Sequence, residues 1–181
     1  MSDSKRNGLL LGLMALPLIA ACSDAPSSTG TAASLVEPAK QVVQERPVPE
    51  KPLLEVYKSP TCGCCEKWIT HLEGEGFAAA TRHPADMAAI KDKFGITPNY
   101  RSCHTAVSTN GYVFEGHVPG KYIRQFLAET PEDAIGLAVP AMPVGSPGME
   151  VGGEFTPYQV LLLKKDGSSE LYAAVTQPGD Q

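Results

Sequence analysis

The chain has 181 residues, of which 43% are hydrophobic and 19% are charged, and its formal net charge is -5. This length is sufficient for one ordinary domain with extensions and is short for two domains. The acidic residues are dispersed along the chain and no basic run accompanies them, so the composition argues against a surface that neutralises phosphates. We therefore expect no nucleic-acid partner.

The N-terminal segment has the layout of a secretion signal. Lys5 and Arg6 precede an apolar stretch over residues 9–21, which is short for a bilayer span. The stretch ends in Leu-Ile-Ala-Ala-Cys at Cys22, which resembles a bacterial lipobox, where cleavage precedes a lipidated cysteine. We predict a lipoprotein signal peptide over residues 1–21 and a periplasmic protein that is anchored to a membrane, with the outer membrane favoured. An ordinary signal peptide and an uncleaved core helix are the alternatives.

The next elements are predicted from composition and apolar periodicity. Residues 22–51 are rich in small, polar and charged residues, which predicts a disordered tether after the lipidated cysteine. The domain is predicted over residues 52–176, and residues 177–181 are predicted to be a flexible C-terminus. Its first elements are a strand over 53–57, a helix over 64–74, a strand over 77–81, a helix over 87–94, strands over 105–108 and 112–117, and a helix over 120–129.

This α/β order, β-α-β-α-β-β-α, predicts a thioredoxin-like fold, in which a crossover joins parallel strands and a hairpin completes the sheet. Asn110-Gly111 marks that hairpin because both positions tolerate positive φ. Frequent Pro and Gly between residues 130 and 157 predict a long ordered loop or a lid. An extra C-terminal hairpin over 158–164 and 169–173, with Asp166-Gly167 at its turn, extends the sheet or forms a small flap.

The cysteine spacing predicts a functional site rather than structural disulfides. Cys62-Gly63-Cys64-Cys65 lies at the start of the first predicted helix, where free N–H groups favour thiolates. A disulfide from Cys64 to either neighbouring cysteine would be strained. The spacing of Cys62 and Cys65 is that of thiol oxidoreductases, which need only two cysteines, whereas the additional Cys64 favours a soft metal ion.

Other residues are candidate ligands of the same site. Cys103 offers a fourth thiol ahead of a predicted strand. Thioredoxins carry a cis-proline at this point, whereas no proline stands at positions 102–106 here. His104 and His117 are candidate imidazole ligands, and Met149 is a candidate thioether ligand, which copper(I) accepts. Glu66 in place of histidine excludes C-x-x-C-H haem attachment. Three thiols in one turn suit bridged copper(I) ions better than the separated ligand pairs of structural zinc sites.

The cysteines belong to the first of four motifs that occur in order between about residues 53 and 173. The motifs are Tyr57-Lys58-Ser59-Pro60-Thr61-Cys62-Gly63-Cys64-Cys65-Glu66-Lys67-Trp68, Ser102-Cys103-His104-Thr105, Gly116-His117-Val118-Pro119 and Gly145-Ser146-Pro147-Gly148-Met149-Glu150. Together they resemble the CopG-type copper-resistance family, formerly a domain of unknown function. The resemblance implies a thioredoxin-like fold, a copper cluster held by the cysteine motif, and a role in periplasmic copper tolerance that could involve copper oxidoreduction.

The leading hypothesis from the sequence is a periplasmic copper-binding protein that holds several copper(I) ions in a multi-thiolate cluster and sequesters copper or changes its oxidation state. One alternative is a thiol-disulfide oxidoreductase that uses Cys62 and Cys65. Another is a copper-delivery factor that docks on a copper-handling partner protein through the loop rich in Pro and Gly. Whether the protein is an enzyme stays open at this stage.

Overall fold

A computed structural model describes residues 50–181. The predicted signal peptide over 1–21, the lipidated Cys22 and nearly all of the tether lie outside the described residues, so they stay predictions. Between residues 50 and 181, no helix combines the length and the apolar character that a bilayer span requires.

Residues 50–181 form a mixed α/β structure with one seven-stranded sheet. The elements are β1 (Leu53–Lys58), α1 (Gly63–Gly74), β2 (Ala78–Arg82), α2 (Met87–Lys93), β3 (His104–Ser108), β4 (Val113–Glu115), α3 (Gly120–Glu129), β5 (Ala134–Ala138), β6 (Tyr158–Lys164) and β7 (Ser169–Val175). Short 3-10 turns lie at Pro98–Tyr100 and Pro178–Asp180. The strand order is β2-β1-β3-β4-β5-β6-β7, in which β1 pairs with β2 and β4 with β5 in parallel, and all other pairs are antiparallel.

The predicted order of elements from β1 to α3 is observed, and each element begins and ends within two residues of its predicted boundary. Asp86 caps α2 as its side chain accepts the backbone N–H groups of Ala88 and Ala89. The C-terminal hairpin, β6 and β7, extends the sheet, which decides between the two options that the sequence left open.

The prediction of a long loop over residues 130–157 is wrong in its first part, because β5 lies there and pairs with both β4 and β6. Strand β5 is buried on both faces and therefore lacks an alternating pattern. Gly136 also interrupts its apolar run. A Cβ at this glycine would lie 1.7 Å from the carbonyl oxygen of Val113, so only glycine permits this close approach to β4.

The C-terminal residues pack against the domain. The Tyr122 hydroxyl donates to the Asp180 carbonyl at 2.7 Å, and the Gln181 side-chain amide donates to the Gly145 carbonyl at 2.9 Å. In the structure, one hydrogen bond from the Tyr122 side chain and one from the side chain of Gln181 itself connect this end to the domain. The flexibility of residues 177–181 stays a prediction from the sequence.

Two apolar clusters cover the two faces of the sheet. The larger one joins α1 and α3 to the strands, with Trp68, Leu72 and Phe126 among its fully buried side chains. The smaller one lies on the opposite face and includes Ile96 and Leu163. Burying each large apolar side chain contributes about 1.5–3 kcal/mol. The sheet therefore holds α1 rigidly, and with it the cysteine motif at the start of this helix.

A histidine on α1 ties this helix to the start of α3. The Nε2 atom of His71 accepts a hydrogen bond from the Gly120 N–H at 3.0 Å, so it satisfies a donor that the first turn of α3 leaves free. Only a neutral imidazole can accept this bond. Burial lowers the pKa of His71, an effect that the carboxylates of Glu75 and Glu150 partly oppose.

This cap predicts a pH-dependent contribution to stability. As the pH falls below about 6.5, His71 takes up a proton in the unfolded chain before it does so in the folded chain, so the free energy of unfolding decreases. In His71→Gln, the amide oxygen still accepts the bond but does not titrate. We expect urea unfolding between pH 7.5 and pH 5.5 to show a smaller decrease in this variant than in the wild type. Equal decreases would contradict the assignment.

Candidate metal centre

The sheet brings two separate segments to one end of the domain. Strand β1 ends at Lys58, and the chain then turns through Pro60 into the Cys62–Cys65 motif. Strand β3 runs antiparallel to β1, with His104 opposite Lys58. Because β3 begins where β1 ends, Cys103 lies beside the first turn of α1.

The four cysteines of the described domain lie close together. Cys62 and Cys65 form a disulfide, whereas Cys64 and Cys103 are free thiols. The Sγ atoms of Cys62 and Cys64 are 3.5 Å apart, and those of Cys65 and Cys103 are 3.6 Å apart. All four sulfur atoms lie within 4.8 Å of one another. Reduction of the disulfide would therefore produce a compact group of four thiols, which we call the thiol group.

Cys103 also belongs to a second set of donor atoms. Its Sγ atom lies 3.1 Å from Nε2 of His117 and 3.2 Å from Nδ1 of His104. One donor atom from each of these residues lies within 4.8 Å of the others, and both histidines are buried. We call Cys103, His104 and His117 the mixed group. The two groups share the Cys103 thiol, so a metal ion bound by one group would have a ligand in common with the other.

The loop after β5 orients His117. The Nδ1–H of His117 donates to the Pro147 carbonyl at 2.8 Å, which leaves Nε2 as the free lone pair that faces Cys103. A backbone carbonyl commonly fixes the tautomer of a metal-binding histidine in this way. The same loop also packs on α1, because Gly148 lies directly against the Cys64 carbonyl and the Trp68 backbone.

Burial sets the protonation of the mixed group. It lowers the pKa of His117, and it lowers the pKa of His104 well below the usual range. The positive charges of a protonated His117 and of Lys91 lower the pKa of His104 further. Both rings are therefore neutral at pH 7, as metal binding requires. Burial, reinforced by the nearby Cys64, raises the pKa of Cys103 to about 12. A metal ion must displace the proton of this thiol when it binds.

The donor set fits a soft or borderline metal ion. Thiolates select copper(I), zinc and iron–sulfur clusters, while imidazole suits copper and zinc. Within residues 50–181, the buried Nε2 atom of His104 has no hydrogen-bond partner, which is unusual for a buried polar atom. The His104 ring packs against Trp68 in a tilted arrangement at a centroid distance of 4.2 Å, and Trp68 itself is part of the core. The imidazole is thus held in place with Nδ1 facing Cys103, and its second nitrogen, Nε2, is unused.

The sequence-predicted ligands differ in how far the structure supports them. Cys62, Cys64, Cys65, Cys103, His104 and His117 are all brought together. Met149 lies in the loop that carries the Pro147 carbonyl and is half-buried, and its backbone N–H donates to Ser146 at 2.7 Å. Ligation by its thioether stays a prediction.

The contact between Gly148 and α1 predicts a localised sensitivity. Gly148 has φ +86°, and a Cβ there would lie 2.7 Å from both the Cys64 oxygen and the Trp68 nitrogen. Gly152, in the same loop, has φ +58°, and its Cβ would meet no described atom within 4 Å. We expect Gly148→Ala to lower the free energy of unfolding by about 2–3 kcal/mol, and Gly152→Ala by about 1 kcal/mol from backbone strain alone. Equal losses in urea unfolding would contradict the packing.

A buried polar network beside the site was not predicted from the sequence. Glu115 and Lys91 are both buried, and the Lys91 Nζ lies 2.5 Å from a Glu115 oxygen. A periodic signal exists for each. Glu115 follows Val113 by two residues on the same face of a strand, and Lys91 follows Met87 by four residues on the apolar face of a helix. Charge alone makes both residues look exposed.

Comparisons with known proteins agree with this site. Residues 100–149 match the model of a family described as a protein of unknown function, DUF411. The fold is similar to two solved structures of the copper resistance protein CopG, Form 2 with a TM-score of 0.66 and Form 1 with 0.65. Both are 41% identical to this chain and cover 70% of it, and the chain covers 99% and 98% of them. A search of curated proteins gave no match. With this identity over nearly the whole length of the two structures, the chain belongs to the CopG-type copper-resistance family.

Proposed function

We propose that the protein binds copper for copper resistance and holds copper(I) ions in the reduced thiol group. The observation that carries the proposal is the position of Cys103, whose sulfur belongs both to the thiol group and to the mixed group. Closely spaced thiolates can bridge more than one soft ion, and copper(I) is the soft ion that the family relationship favours. The mixed group offers one thiolate and two imidazoles, a set that also accepts copper(II).

The disulfide supports an additional role in changing the oxidation state of copper. In the reduced protein, the Cys62 and Cys65 thiolates together release two electrons as their sulfur–sulfur bond forms. Two copper(II) ions take one electron each and become copper(I). The remaining Cys64 and Cys103 thiols stay available as ligands. Repeated turnover requires an external thiol or electron donor that reduces the disulfide again.

The fold and the location belong to the same proposal. The order β2-β1-β3-β4, with β1 and β2 parallel and the next strands antiparallel, supports a thioredoxin-like core that β5 to β7 extend. The N-terminal sequence up to Cys22 supports a lipoprotein that is anchored in the periplasm. Copper delivery to a partner protein stays a prediction.

A thiol-disulfide oxidoreductase is the second candidate function, because the Cys62–Cys65 disulfide joins the two cysteines with C-x-x-C spacing at a helix start. This function needs neither Cys64 nor Cys103. Insulin reduction that persists in a Cys64→Ser, Cys103→Ser double variant would favour it, and loss of copper binding in that variant would not affect it.

Copper(I) loading tests the leading proposal. The full-length protein, reduced and kept free of oxygen, is titrated with copper(I) in competition with a chromophoric chelator, and metal analysis then gives the copper retained per chain. We expect more than one tightly held copper per chain, which excess zinc does not displace. Retention of zinc in preference to copper, or loss of all copper to a weak chelator, would contradict the proposal.

A further inference from the structure

Three elements meet in a buried network beside the mixed group. The Glu115 carboxylate, at the end of β4, accepts hydrogen bonds from Lys91 Nζ at 2.5 Å, from the Thr105 hydroxyl at 2.6 Å and from the Ser102 backbone N–H at 2.6 Å. Lys91 also donates to the Thr105 hydroxyl at 3.1 Å. Glu115 and Thr105 are fully buried, and Lys91 is 6% exposed.

Ser102 and Thr105, which donate two of these hydrogen bonds to Glu115, lie on either side of the metal-binding residues Cys103 and His104. Ser102 immediately precedes Cys103, and Thr105 immediately follows His104. One carboxylate therefore bonds to both ends of a four-residue segment whose two central residues belong to the mixed group. The Gly116 N–H, next along the chain from Glu115, donates to the His104 carbonyl at 3.0 Å. This segment is held by charged hydrogen bonds rather than by apolar packing alone.

A buried ion pair of this kind is not explained by stability. Desolvation of both charges offsets most of their attraction, and apolar residues of similar volume often stabilise a core as well or better. What the pair does provide is a carboxylate with several acceptor positions in a fixed direction. The Lys91 ammonium, which α2 holds in place, compensates its charge.

We propose that Glu115, Thr105 and Lys91 are positioning residues for the metal site, which set the distance of 3.1 Å between Cys103 Sγ and His117 Nε2. The inference rests on the metal-binding function proposed above. Glu115 acts on Cys103 through the Ser102 N–H and on His104 through Thr105. It lies two residues before His117 on the same segment, so one side chain couples all three members of the mixed group.

Thr105 allows a test that leaves the ion pair intact. Thr105→Val removes the hydroxyl with little change of volume, while Thr105→Ser keeps the hydroxyl. Val107→Ala is the matched control, because Val107 is a buried residue two positions along the same face of β3 and makes no side-chain hydrogen bond among the described residues. Each variant is prepared in the full-length chain.

Copper(I) affinity is measured by competition with a chromophoric chelator. We expect Thr105→Val to lower the affinity by about 10- to 100-fold, as the loss of an outer partner does at other metal sites. Thr105→Ser is expected to restore it, and Val107→Ala to leave it unchanged. A purely structural role for Thr105 would instead make the affinity follow the stability of each variant, so Thr105→Val and Val107→Ala would behave alike.

A second readout does not depend on copper. In the metal-free protein, the alkylation rate of Cys103 by iodoacetamide is followed by mass spectrometry of its peptide. We expect faster alkylation in Thr105→Val than in the wild type, Thr105→Ser and Val107→Ala. If the wild type retains no copper but alkylation shows this order, the copper function fails and the positioning role stands. Equal alkylation rates in the wild type and Thr105→Val, or equal affinities where both proteins bind copper, would overturn the inference.

Discussion

Cys103→Ser is expected to lose more copper than Cys64→Ser. The Cys103 sulfur is shared by both donor groups, at 3.6 Å from Cys65 Sγ and 3.1 Å from His117 Nε2, whereas Cys64 belongs only to the thiol group. Removing a shared ligand leaves neither group intact. We expect the copper(I) affinity of Cys103→Ser to fall by more than the roughly 100-fold that is lost when a residue hydrogen-bonded to a metal ligand is removed.

The comparison needs the number of copper ions as well as the affinity. Metal analysis after anaerobic loading should find partial occupancy in Cys64→Ser and almost none in Cys103→Ser. His83→Gln is a control, since the His83 ring bonds the Lys58 carbonyl and belongs to neither group. Equal retention in both cysteine variants would mean that Cys103 has no special position, which would contradict the shared-ligand arrangement.

Glu115→Ala is expected to have the largest effect on stability. The substitution leaves the Lys91 ammonium buried without its partner and the Ser102 N–H without its acceptor. Breaking a buried ion pair on one side costs about 3–5 kcal/mol. That is a large part of the roughly 5–15 kcal/mol that stabilises a typical domain. We therefore expect a marked decrease in the urea midpoint of the metal-free protein.

An exposed ion pair provides the matched control. Glu170 pairs with Lys164 at the surface, where both side chains contact solvent. Such pairs contribute about 0–1 kcal/mol, so Glu170→Ala should hardly shift the urea midpoint. Similar losses of unfolding free energy in Glu115→Ala and Glu170→Ala would show that the buried network stabilises the domain no more than an exposed ion pair does.

Much of the fold could be predicted because its elements carry regular patterns. Helices α1 and α3 have apolar residues at helical spacing, and both hairpins have the Asn-Gly or Asp-Gly turn that tolerates positive φ. Strand β5 could not be recognised, because a strand buried on both faces does not alternate and Gly136 resembles a loop residue. Its position depends on close approach to β4, a tertiary contact that local sequence does not encode.

The candidate site shows the same division. Clustered cysteines reveal a thiol site because free thiols at such spacing have few structural uses, and Cys103 and the histidines follow from nearby motifs. The sharing of Cys103 between two groups is set by the pairing of Lys58 with His104 across β1 and β3. The Pro147 carbonyl that orients His117 is a backbone atom, and its role depends on a contact over 30 residues. Neither the sharing of Cys103 nor the role of this carbonyl can be predicted from the types of side chain in the sequence.

X-ray absorption spectroscopy of the copper-loaded protein tests the central claim most directly, because it identifies the atoms bound to copper. The arrangement described here predicts copper(I) surrounded mainly by sulfur, with a nitrogen contribution from the mixed group that disappears in a His104→Gln, His117→Gln variant. A spectrum dominated by oxygen and nitrogen, without sulfur ligands, would contradict copper binding at the shared thiol.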